Sequence, residues 1–215
     1  AYALCLFSLK MLTAMFGATK RTTVMTSKPR ILVTRTLMEA NENRLRAEFD
    51  ATLNPDDHIM SADEIVAASH GMDALLICVT EPLIATTIER LPDTVKAIMT
   101  LSVGMEHIDL DAAKSRGIAV LSTPDAVNDP TVEVAMLLML GAARRATEGA
   151  ALMRKHAWTE WTPRLLLGTD VTNGTLGIFG MGRIGRTLAQ RARGFDMTIR
   201  YHNRTRLSFE EEAGA

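Results

Sequence analysis

An α/β fold built on parallel strands is predicted by three features of the sequence. Short apolar runs alternate with helix-like segments over residues 28–124, the βα rhythm of a parallel sheet. A further apolar run, 175–179, leads straight into a glycine-rich turn and a helix, and residues 197–201 supply a second strand after it. The composition, 47% hydrophobic and 23% charged with a mean hydropathy of +0.07, can bury a sizeable core and excludes disorder for most of the chain. A length of 215 residues accommodates one domain or two modest ones.

In chain order, residues 31–34 form the first strand, and residues 39–49 read as a surface helix with Ala40, Leu45, Ala47 and Phe49 among charges. Ser61 with Glu64 three positions on makes a capping box, opening a short helix that Gly71 closes. Residues 74–79 are a buried strand. A helix over 86–90 ends at Pro92, 95–101 is the next strand, 109–116 a helix stopped by Gly117, and 118–121 the last strand. The pattern predicts a small flavodoxin-like unit over 28–124.

Residues 125–215 form the second predicted unit. Asp129 and Pro130 read as an N-cap and first helical residue, and 132–143 is apolar nearly all round, which predicts a buried helix. Residues 144–161 are more amphipathic, carry Trp158 and Trp161, and read as an arm before the polar turn 168–174.

Composition narrows the function classes. With 24 basic and 25 acidic residues the net charge is −1, so no overall basic field exists to hold nucleic acid. Cys5 and Cys78 stand far apart without CxxC spacing, which indicates neither a disulfide framework nor a metal site and fits a reducing compartment such as the cytoplasm. All acidic residues lie at or after Glu39, whereas Lys10, Lys20, Arg21, Lys28, Arg30 and Arg35 precede it. Residues 1–27 therefore read as a leader outside the fold: upstream sequence, or an organelle transit peptide over 1–24. Lys10 interrupts its apolar run well short of the ~20 residues a membrane span requires.

The motif that carries chemistry is TLGIFGMGRIG, residues 175–185, with Gly180, Gly182 and Gly185 spaced as GxGxxG between a strand and a helix. Gly180 permits the tight turn, Gly182 lets the backbone approach a pyrophosphate, and Gly185 lets helix and strand pack closely. Free N–H groups and the positive helix end then face the phosphates. Met181, Arg183 and Ile184 lie along the same turn. About 20 positions on, where an acid would accept from the ribose hydroxyls of NAD, stand His202, Asn203 and Arg204. Arg204 suits a 2′-phosphate, so NADP is expected, with NAD the alternative. A second candidate is LSVGMEHID, residues 101–109, where a strand end meets a glycine turn. The N–H groups of Val103 and Gly104 could hold a small carboxylate there. A lone His107 beside Glu106 is more often structural than catalytic.

Together and in this order these motifs resemble the D-isomer-specific 2-hydroxyacid dehydrogenases. The matching residues are Ser102-Val103-Gly104, Glu106-His107-Ile108-Asp109, Gly117-Ile118, Pro124, Glu133-Val134-Ala135, Arg144, Trp158 and the fingerprint from Gly177 to Gly185. The Asn203-Arg204 pair looks like the glyoxylate/hydroxypyruvate reductase branch, which uses NADPH. The resemblance implies a flavodoxin-like substrate domain followed by an incomplete Rossmann NAD(P)-binding domain, and a homodimer at full length. It places Val103 and Gly104 on the substrate carboxylate and Thr80 near it. The family's catalytic Arg, Glu and His come from segments beyond the second nucleotide-domain strand, and no position in this sequence matches them. No catalytic residue is therefore assigned, and His107, His156 and Arg183 are not promoted. Two other readings share these motifs: a dinucleotide-sensing binding module of the corepressor type, and an NAD-linked phosphoglycerate-type dehydrogenase.

Overall fold

The computed structural model describes residues 28–124 and 126–214, so the expected leader lies outside the described residues. The chain divides into two compact units between Val127 and Asn128. The sequence put that division after Pro124.

In the first unit the apolar runs become β1 (Arg30–Val33), β3 (Ala74–Ile77), β4 (Ala97–Thr100) and β5 (Ala119–Leu121). A further strand, β2 (Asp50–Thr52), escaped the sequence reading. All pair in parallel in the order β2-β1-β3-β4-β5, the flavodoxin-like order. Every residue of β3 and β4 is buried, because helices α1 (Glu39–Glu48), α2 (Ala62–Ala68), α3 (Ala85–Arg90) and α4 (Leu110–Ser115) supply apolar cover. One buried cluster joins Leu32, Leu75, Ile77 and Ile98 to Ile65, Leu83 and Ile88, and another joins Ile31, Val33, Leu76 and Met99 to Leu45 and Phe49. The Ser61–Glu64 capping box forms as predicted, and Gly71 and Gly117 both take positive φ, the conformation that ends a helix at little cost for glycine.

The second unit holds α5 (Asn128–Ala143), α6 (Ala146–Arg154), β6 (Thr175–Phe179), α7 (Arg183–Ala192), β7 (Thr198–His202) and the short α8 (Phe209–Gly214). Strands β6 and β7 pair in parallel with Phe179 opposite His202. Ile178, Met181 and Ala189 form the small core between this pair and α7. Two expectations for α5 are corrected. The helix begins at Asn128, so Asp129 lies inside its first turn, where it binds the Arg191 guanidinium rather than capping. Of its apolar residues only Val132 is buried, while Val134, Leu137 and Leu138 are more than half exposed. The helix packs chiefly on α7 and α6, and its outer side is largely exposed among the described residues. The expected arm is helical only to Arg154, and Trp158 and Trp161 are exposed beyond it. No helix among the described residues is long and apolar enough to cross a membrane.

The two sheets differ in cover. Strand β3 is central and wholly buried, whereas β7 alternates exposed and half-buried residues in a two-stranded sheet. Hydrogen exchange on this chain is therefore expected to show the amides of Ala74–Ile77 protected far longer than those of Thr198–His202. Equal protection would contradict this difference in cover.

Candidate functional site

In the first sheet the chain leaves β1 in one direction and β3 in the other, so their carboxyl ends form the crevice where ligands of such sheets bind. The groups there are largely occupied with one another. Glu81, with its side chain fully buried, accepts from the Cys78 N–H at 2.9 Å, the Thr34 hydroxyl at 3.1 Å and the Thr80 hydroxyl at 2.9 Å. Arg35 donates to the Thr80 hydroxyl at 2.8 Å and grips both oxygens of Asp57. Hydrogen bonds from Arg35 and from the Thr36 N–H hold the Asp57 carboxyl well below its ordinary value, at about 2. Thr80, expected near the substrate, thus spends its hydroxyl inside the protein. Glu81 and Arg35 were missed in the sequence; their position just after strand ends was the available signal.

At the end of β4 the Ser102–Gly104 loop is held from several sides. The Thr123 N–H and hydroxyl both donate to the Ser102 carbonyl, at 2.9 and 3.0 Å. The Ser102 hydroxyl donates to the Gly104 carbonyl at 2.7 Å and lies 2.7 Å from the Thr100 hydroxyl, which is 2.9 Å from His107 Nε2. The N–H groups of Val103 and Gly104 are spent on no acceptor among the described residues. Val103 is 37% exposed. The loop is therefore rigid with donors to offer, which is what a small carboxylate requires. Burial pushes His107 below the ordinary imidazole value of 6.5, against the opposing pull of Glu106 and Glu81. A neutral imidazole tied to Thr100 supports the loop and is poorly suited to donate a proton near neutral pH.

In the second unit the glycines behave as their spacing requires. Gly180 has φ +99°, a value costly for any side chain. A Cβ on Gly185 would stand 2.2 Å from the Gly180 carbonyl, so only glycine allows α7 to approach the turn. A Cβ on Gly182 would meet nothing within 4 Å. The space above the turn is open at the residue that starts α7, and no side chain caps the helix there. Its first N–H groups can thus serve an anion, and the cradle fits a dinucleotide pyrophosphate. Ile184 is partly exposed on the first turn, beside Arg183. Met181 turns its side chain into the core at 2% exposure, because a long apolar chain fills the space beneath the loop, and its N–H donates to Asn203 Oδ1 at 2.7 Å. Beyond β7, Arg206 pairs with Glu212, whose carboxyl that contact and the Tyr201 hydroxyl hold at about 2. Arg204 is exposed, and no carboxylate pairs with it among the described residues.

A flavodoxin-like unit with a strand-end donor loop, followed by a strand–glycine turn–helix–strand cradle, defines an α/β protein of the dinucleotide-binding class. The chain belongs to the D-isomer specific 2-hydroxyacid dehydrogenases, whose catalytic-domain model matches residues 31–213. Over 187 residues it is 46% identical to glycerate dehydrogenase of Hyphomicrobium methylovorum, covering 87% of this chain and 58% of that protein. It is 37% identical over 189 residues to glyoxylate reductase of Korarchaeum cryptofilum, with 87% and 57% covered. Among solved structures, a protein from Polaromonas sp. JS6 66 described as D-isomer specific 2-hydroxyacid dehydrogenase, NAD-binding, superposes with TM-score 0.79 at 46% identity, covering 88% of this chain and 59% of that one. A glyoxylate reductase from Paecilomyes thermophila gives TM-score 0.72 at 34% identity, with 88% and 60% covered. The chain thus spans about three fifths of the length of these relatives.

His107 provides a check on the loop. Its folded pKa lies below the unfolded value, so its contribution to stability is present above pH 6.5 and is lost as pH falls below that toward the folded value. NMR titration of the imidazole is expected to give a midpoint below 6.5. Thr100→Val, which removes the 2.9 Å contact, is expected to alter the amide shifts of Ser102 and Val103; unchanged shifts would show that the network does not set the loop.

Proposed function

We propose that the full protein is a reductase converting a small 2-oxo acid of the glyoxylate or hydroxypyruvate type to the 2-hydroxy acid with NADPH. One observation carries the cofactor choice: at the end of β7 the residues beside the glycine cradle are an amide and a guanidinium with no acid partner among the described residues, and the nearby carboxylate, Glu212, is taken by Arg206 and the Tyr201 hydroxyl. The relatives named glyoxylate reductase and glycerate dehydrogenase support the substrate class. In this reading Gly180, Gly182, Arg183, Ile184 and Gly185 line the diphosphate and Asn203 and Arg204 face the 2′-phosphate, with Met181 supporting the turn. The Val103 and Gly104 N–H groups hold the substrate carboxylate, and Thr80 stands near the substrate through its backbone. A bound nicotinamide supplies the hydride; the proton donor, its carboxylate partner and the substrate arginine are assigned to segments of the full protein beyond residue 215. The exposed Leu137 and Leu138 of α5 support a homodimer. The cytoplasm is the working compartment, with no nucleic acid or membrane as partner.

Residues 1–215 alone are expected to show no glyoxylate-dependent NADPH oxidation above a protein-free control. The protein with its natural downstream sequence is expected to turn over glyoxylate or hydroxypyruvate, measured as loss of absorbance of the reduced nicotinamide. If that longer chain is inert with both acids, the reductase reading fails.

Arg204→Asp in the longer protein removes a charge-assisted contact and adds an acceptor for ribose hydroxyls. The ratio of kcat/KM for NADPH to that for NADH is expected to fall about tenfold or more. An unchanged ratio would show that Arg204 does not read the phosphate.

A further inference from the structure

The turn that leaves β3 is governed by one buried acid. Glu81 is 1% exposed, and each of its carboxylate oxygens has a separate task. Oε2 accepts from the Cys78 N–H at 2.9 Å and from the Thr34 hydroxyl at 3.1 Å, which ties the carboxyl ends of β3 and β1 together. Oε1 accepts from the Thr80 hydroxyl at 2.9 Å. The Arg35 guanidinium can only donate, and it gives an N–H to that same hydroxyl at 2.8 Å, so the one hydroxyl proton of Thr80 is committed to Glu81. A hydroxyl thus bridges a cation and an anion whose charged atoms stand 4.0 Å apart. The far end of the turn is fixed independently: the Leu83 N–H donates to the His107 carbonyl at 2.8 Å, and the Asp109 N–H donates to the Leu83 carbonyl at 2.9 Å. Between these anchors the N–H groups of the exposed Val79 and Thr80 are spent on no acceptor among the described residues. Strand β3 pairs with β4, so these donors sit at the strand end next to the one that carries Val103 and Gly104.

We propose that Glu81 is a positioning residue for the substrate crevice: acting through the Cys78 N–H and the Thr80 hydroxyl, its carboxylate fixes the backbone of residues 78–80 beside the Ser102–Gly104 loop. The proposal rests on the reading of that crevice as the 2-oxo acid site and deepens it. An acid is required here rather than an amide, because both oxygens must accept. In Glu81→Gln the remaining oxygen can still serve Cys78 and Thr34. The new NH2 group, however, meets a Thr80 hydroxyl that already receives Arg35, and the hydroxyl proton loses its acceptor. The turn is then free to shift at the residue nearest the substrate while its anchor at Cys78 persists.

Steady-state kinetics on the protein with its natural downstream sequence separate positioning from folding, using whichever of glyoxylate and hydroxypyruvate the parent turns over and the reduced dinucleotide it uses. In Glu81→Gln the KM for the acid is expected to rise about tenfold while kcat falls by less than about threefold. Equilibrium binding of the dinucleotide, whose glycine cradle belongs to the other unit, is expected to stay within about twofold of the parent. Hydrogen exchange of the Cys78 amide is expected to stay slow in Glu81→Gln and to accelerate in Glu81→Ala, which removes both oxygens. Thr80→Val breaks the same contact from its other side and is expected to raise KM by a similar factor. Combined, Thr80→Val and Glu81→Gln are expected to be no worse than either alone, because both act through one contact. Slow exchange of the Leu75 amide shows in each variant that the unit remains folded; should Glu81→Gln not fold, Thr80→Val decides, and an unchanged KM there overturns the proposal. So does an unchanged KM in a folded Glu81→Gln, or a combined variant in which the two effects multiply. Equal losses of acid and dinucleotide affinity overturn it in favour of a purely structural role. Absence of turnover of both acids by the parent would instead overturn the reading of the crevice, and the proposal with it.

Discussion

A parallel strand stops being paired where its chain turns away into a loop, and the backbone groups just past that point must be satisfied by something other than the sheet. This constraint organises both units. At the end of β1 the Asn54 amide donates to the Thr34 carbonyl at 2.8 Å, and beyond β3 the Cys78 N–H donates to Glu81. At the end of β4 the Ser102 carbonyl receives two bonds from Thr123, and beside β7 the Met181 N–H goes to Asn203. Leaving any one of these unmade in a buried position would cost about 1–3 kcal/mol, so each strand end carries a side chain dedicated to it.

The same constraint separates supporting groups from available ones. Thr80, Arg35 and Arg206 are chemically attractive but already matched, by Glu81, Asp57 and Glu212 respectively. Among the described residues, the Val103 and Gly104 N–H groups and the Arg204 guanidinium are among the groups left without an internal partner. A binding group is thus recognised in this fold by its lack of an internal partner, and its precision derives from neighbours that have one.

How much of this was legible in the sequence depended on how local the cause was. The GxGxxG turn and the Ser61–Glu64 capping box are set by residues within a few positions of one another, and both formed as read. Strand β2 was missed because an edge strand of three residues, Asp50–Thr52, carries no apolar run. The capping role expected of Asp129 failed for a nonlocal reason: its carboxylate is claimed by Arg191, 62 residues away. The apolar composition of α5 correctly marked a helix but not its burial, since burial depends on what covers it. Glu81 was invisible for a related reason. A charged residue after a strand ordinarily reads as solvated, and only the fold reveals the donors that make its burial tolerable.

Charge at the Ser102–Gly104 loop argues for how the two strand-end sites must be used. Two backbone N–H groups carry only partial positive charge, and in water such groups alone hold a carboxylate weakly. The nearest acid makes this harder: the Glu106 side chain lies against Gly104, so close that a Cβ there would stand 2.1 Å from its Oε2. Arg35, in the same unit, has its charge matched by Asp57. If this loop holds the proposed substrate, it would supply direction, and the compensating positive charge would have to come from a cation outside it. The loop, however well formed, then selects an orientation without by itself capturing the acid.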